Sequence, residues 1–116
     1  MLRRMKHAVA FALLLFSSLA VADPVIINAD QWARPRSGAV IVQDFGLAPL
    51  IEALDRQPDG VLVVDHARSD EGSVWAEELR AWLVALGVSS AQIVLTPRGS
   101  DNGRITVDVR GYRGRQ

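Results

Sequence analysis

The stretch VLVVDHARSDEGSVWAEELRAWLVALG, residues 61–87, decides the fold. Its first four residues, Val61 to Val64, are apolar on both sides of a strand's two-residue alternation. That pattern belongs to a strand at the centre of a sheet, covered on both faces. Polar residues 65–73 interrupt the run. Trp75, Leu79, Trp82, Leu83 and Leu86 then recur at i, i+4, i+7, i+8 and i+11, one apolar face of a helix, while Glu77, Glu78 and Arg80 fall away from it. Ser73 has the side chain of an N-cap, and Gly87 suits the position just past the helix end. A buried strand running into an amphipathic helix is half of a βαβ unit.

Downstream, Gln92 to Thr96 reads as a third strand, and Ile105, Val107 and Val109 alternate with polar residues as a fourth. Gly99 to Gly103 between them contains Asn102-Gly103, a hairpin signal. Upstream, Leu47, Leu50, Ile51 and Leu54 mark a helix over about 47–56, with Pro49 tolerated in its first turn. Ala39 to Gln43, short and β-branched, reads as a strand. Gln31 to Gly38 reads as irregular, with Trp32 plugging one end of the core, and Asp23 to Asn28 is a candidate edge strand.

The order is β-α-β-α-β-β. It predicts a single α/β domain of the α+β sandwich type, with two helices on a mixed, mostly parallel four-stranded sheet and the last strand antiparallel to the third. The expected core is Leu50, Ile51, Leu54, Leu62, Val64, Leu79, Leu83, Ile93 and Leu95. Residues 39–110 form the domain, 23–38 an extended N-terminal segment, and 111–116 a flexible basic tail.

The chain has 116 residues and no cysteine, which excludes thiol chemistry, disulfides and Cys-ligated metal sites. Residues 1–22 combine Arg3, Arg4 and Lys6, the apolar run Ala8 to Phe16, and a small-residue end at Ala20-Val21-Ala22. This predicts a secretory signal cleaved before Asp23 and a periplasmic location; the apolar run is shorter than the roughly 20 residues of a membrane span. Beyond it, ten Arg face thirteen acidic residues, a net charge of −3 that argues against nucleic acid as a partner.

The densest polar cluster is Asp65 to Ser73, at the carboxyl end of the central strand and the start of a helix, where open α/β sheets bind ligands. Its spacing contains no nucleophile elbow, and with one histidine beyond the signal a His-rich metal site is excluded. No catalytic residue, metal or cofactor is expected. Trp75 and Trp82 share one helical face and are core residues that double as candidate interface anchors.

Val61–Val64, His66, Asp70, Gly72-Ser73, Leu79-Arg80-Ala81 and the exit Leu83-Val-Ala-Leu-Gly87-Val88 to Ile93 resemble the OmpA-like, peptidoglycan-associated domain over about residues 39–109. That family is built as β-α-β-α-β-β. The resemblance implies that Asp70 and Arg80, beside His66, clamp the diaminopimelate residue of a peptidoglycan stem peptide. The family's closing motif, Asn-x-x-Gly-Arg-x-x-Asn-Arg-Arg, is represented here by Asn102-Gly103-Arg104 alone. The expected function is therefore a non-catalytic accessory or structural protein of the cell envelope, such as a subunit of a secretion or conjugation assembly. Its partner is an envelope protein; the alternative is peptidoglycan binding.

Overall fold

The computed structural model describes residues 22–34 and 36–111; the expected signal, apart from Ala22, and the tail beyond Gly111 lie outside these residues. Along the chain run β1 (Val25–Asn28), α1 (Ala29–Trp32), a π-helical segment (Val40–Asp44), α2 (Ala48–Asp55), β2 (Gly60–Ala67), α3 (Asp70–Ala85), a 3-10 turn (Ser90–Gln92), β3 (Ile93–Gly99) and β4 (Arg104–Gly111). The class is α+β, as the sequence predicts; the expected β-α-β-α-β-β order is corrected at its start, where the first strand is β1 and α1, the π-helical segment and α2 stand between it and β2 in place of one helix.

The apolar run of β2 takes the centre. On one side β2 pairs parallel with β3, Leu62 opposite Ile93 and Val64 opposite Leu95. On the other it pairs antiparallel with β4, Leu62 opposite Val109 and Val64 opposite Val107. β1 adds to the far edge of β4, also antiparallel, giving the order β1-β4-β2-β3. The expected mostly parallel sheet is thus corrected: two of its three pairings are antiparallel.

The expected β3–β4 hairpin is corrected too. β2 lies between the two strands, so the 100–103 turn passes over the carboxyl end of β2. An adjacent hairpin would leave the apolar run of β2 without β4 on its second side. Asn102-Gly103 still makes a local turn, with the Gly103 N–H donating to Asp101 Oδ1 at 2.8 Å.

Residues 39–43, expected as a strand, are helical. The Phe45 and Leu47 amides reach back five residues, to the carbonyls of Val40 and Val42, each at 3.1 Å. β-branched propensity loses here to packing: the widened turn buries Ile41 and Phe45 together, while the strand position beside β4 is filled by β1. Gln31 and Trp32, read as irregular, belong to α1, and the segment expected as extended holds both β1 and α1.

Helix α3 starts one turn before the expected Ser73. Ser69 is the cap, its Oγ accepting the Gly72 N–H at 3.1 Å, with Asp70 and Glu71 in the first turn against the positive end of the helix dipole. It ends as expected at Gly87, whose φ of 105° suits glycine. There the Val88 and Gly87 amides bond back to Leu83 and Val84, each at 3.0 Å, a Schellman closure.

The core unites Ile27, Leu62, Val64, Ile93, Ile105 and Val107 of the sheet with Leu50, Leu54, Leu79 and Leu83 of the helices. Ile51 and Leu95 pack on its margin. Strand alternation turns the intervening residues to the opposite face, where Ile26 (51% exposed) and Val94 (42%) meet solvent.

Candidate functional site

The polar cluster after β2 is a knot rather than a catalytic constellation. Successive strand residues point to opposite faces, so Asp65 and His66 diverge. The His66 ring is only 5% exposed and sets Nδ1 2.9 Å from the Ala67 carbonyl oxygen. Ser69 spends its hydroxyl twice, capping α3 and donating to Asn102 Oδ1 at 2.6 Å. Arg68 Nε donates to the Pro97 carbonyl at 2.8 Å, and the Arg68 amide donates to that of Gly99 at 3.1 Å. These bonds fasten the β2–α3 loop to the 97–103 segment crossing above it.

Asp70 and Arg80 are not brought together. Ten residues of α3 separate them, roughly 15 Å along the axis at 1.5 Å per residue. Arg80 instead lies 3.6 Å from Glu77 Oε1, one turn back on its own helix. Trp75 is buried in the core and Trp82 packs on the core's margin, so the packing role of both tryptophans is the one the structure displays.

What Asp70 does line is a shallow open groove of about 510 Å³. One wall is α1 with Ala29, Trp32 and Ala33; the other is the first turns of α3 with Asp70, Glu71, Val74, Trp75 and Glu78; Asn102 closes one end. α1 is held in place by the Ala29 N–H, which donates to the Gly103 carbonyl at 2.9 Å. The crossing turn therefore positions both walls.

Glu78 ties the walls together. Its Oε1 accepts the Trp32 indole N–H at 3.3 Å and its Oε2 accepts from Arg36 at 2.7 Å. The Arg36 guanidinium lies 4.5 Å above the Trp32 ring and also donates to the Trp32 carbonyl. Trp32 stacks obliquely on Trp75 at 5.9 Å and on Phe45 at 5.7 Å. The aromatic faces are thus covered by protein, and the groove presents apolar edges below a rim of three carboxylates with no basic residue among its lining. The Trp75 indole N–H has no hydrogen-bond partner.

Sequence reasoning found Asp70 and Trp75 but missed Ala29, Arg36, Glu78 and Asn102. The only local signal was Glu78, three residues from Trp75 at the border of the helix's apolar face. Among the described residues no group of three or more His, Asp or Glu side chains is placed to hold a metal ion, and no helix is long and apolar enough to cross a membrane. No protein-family model matches the chain, and it matches no curated protein and no solved structure.

Proposed function

We propose that this chain is an exported, non-catalytic accessory or structural protein of the cell envelope, of the kind that serves a secretion or conjugation assembly, and that it works by docking through the α1–α3 groove. The groove carries the reading: it combines an apolar floor with a carboxylate rim on rigidly tied walls. Apolar area supplies affinity in such a surface, and a one-sign rim supplies register and partner choice. The signal-like residues 1–22 supply the location.

A photo-crosslinking residue at Val74, which is 67% exposed on the groove rim, tests this in the native host. The expected result is a discrete protein adduct from position 74 and none from Val84, exposed further along the same helix. Adducts of equal yield from both positions would remove the groove from the account. Peptidoglycan is the second candidate partner, favoured by the place of Asp70 in the groove. Retention of the wild-type protein on purified sacculi, lost in Asp70→Ala with unchanged melting, would replace docking on a protein by cell-wall binding.

A further inference from the structure

The sequence between Arg110 and Arg115, RGYRGR, places three cationic side chains and one aromatic ring within six residues. Nothing in the docking role described above uses it. The groove offers the complementary chemistry: carboxylates of Asp70, Glu71 and Glu78 above the apolar edges of Ala29, Ala33, Val74 and the indoles. Glu78 and Trp32 already hold one guanidinium, that of Arg36, by ion pair and cation–π contact. That wall therefore already holds an arginine of its own chain. Asp70 and Glu71, exposed in the first turn of α3, carry no such partner among the described ion pairs.

Within one molecule the segment falls short of Asp70 and Glu71. The groove lies beside Asn102, just before β4 begins, whereas the basic segment leaves the far end of β4, where Gly111 pairs with Gly60. Eight residues of strand put about 27 Å between those ends, and the four residues from Tyr112 to Arg115 span only about 14 Å fully extended.

We propose that the groove receives the Tyr112–Arg115 segment of a second copy of this chain, with Tyr112 against the apolar floor and Arg113 or Arg115 forked onto Asp70 and Glu71. Arginine suits those carboxylates because its planar guanidinium donates two parallel hydrogen bonds. The contact is heterologous, segment of one copy into groove of the next, so it repeats head to tail and suits a structural role. The inference rests on the groove being a docking surface, as proposed above.

Sedimentation velocity of the exported protein, at rising concentration and at low and high salt, tests it. The expected result is association that grows with concentration and is weakened by salt, since exposed ion pairs are screened. Glu71→Arg alone and Arg113→Glu with Arg115→Glu alone should each abolish it. Val74→Arg is the second groove variant, with the same expected loss. A mixture of the two charge-reversed proteins should associate again, because each segment then finds a groove of opposite sign. A wild type that stays monomeric, association indifferent to Glu71→Arg and Val74→Arg, or a mixture that stays monomeric would overturn the proposal. Crosslinking at Val74 separates the two levels. An adduct of twice the chain's mass supports a second copy. An adduct to a different envelope protein, from a chain that does not self-associate, overturns this inference and leaves the docking role standing.

Discussion

Replacing Gly72 by alanine should destabilise this domain, against the usual effect of the substitution. In a helix interior, Gly→Ala ordinarily stabilises by about 1 kcal/mol, because alanine loses less backbone entropy and has the higher propensity. At Gly72 a Cβ would stand 2.4 Å from the carbonyl oxygen of Ala67 and 2.9 Å from its carbonyl carbon and Cβ. The obstacle is largely backbone of β2, with no side chain to rotate away, so the first turn of α3 has to lift. Overpacking of this kind costs typically about 1–3 kcal/mol. The same turn carries the Ser69 cap through the Gly72 N–H, and a disturbed cap adds about 1 kcal/mol. Net of the propensity gain, the expected loss is about 1–3 kcal/mol. For a domain of this size each kcal/mol lowers Tm by about 4–8 °C. Urea unfolding is the assay, and the midpoint should fall with the slope unchanged, since the surface exposed on unfolding is the same. A variant as stable as wild type, or more so, would refute the close approach of α3 to β2 that orients the groove's acidic wall.

Two further substitutions probe the packing and the groove. Trp82→Ala should cost about 1–3 kcal/mol in chemical denaturation, below the 3–5 kcal/mol of emptying a fully buried aromatic site, because Trp82 packs only on the core's margin. Glu78→Gln should cost about 0.5–1 kcal/mol by the same assay. An amide oxygen still accepts from Trp32, whereas the charge opposite a partly exposed Arg36 is lost. A salt-independent loss in Glu78→Gln would show that charge is not what ties the walls.

The parts of this fold legible in the sequence are those whose periodicity and packing agree. The apolar run Val61–Val64 specifies a central strand because only a central position covers both faces, and α3 is legible because its apolar spacing, acidic first turn and Gly87 all say helix. Residues 40–42, Val-Ile-Val, are the opposite case. Their intrinsic preference is extended, yet the place beside β4 is taken by Val25–Asn28, four residues whose claim rests on pairing with Val107 to Arg104 some eighty residues away. No local window contains that competition. The hairpin signal at Asn102-Gly103 misled for a related reason: it specifies a tight turn, and which strand lies beside β4 is settled by the need of β2 for two neighbours.

The groove was less legible than the fold because three segments build it, and none has a pattern of its own. Ala29 and Ala33 read as filler, and Asn102 reads as turn chemistry. Arg36 reads as one more charge in a Pro- and Gly-punctuated stretch. Only α3 could betray the site, by setting the acidic Asp70, Glu71 and Glu78 three and four residues from the exposed Val74, along one edge of its apolar face. In isolation that edge is a solvated surface. It becomes a wall when β1 pairs with β4 and delivers α1 alongside it, and when Trp32 and Arg36 are fastened to Glu78. The site is therefore a consequence of topology: the strand that the sequence pattern ranked as marginal, β1, is the element that creates it. Shortening or unpairing β1 should open the groove while leaving β2, α3 and β3 paired as they are.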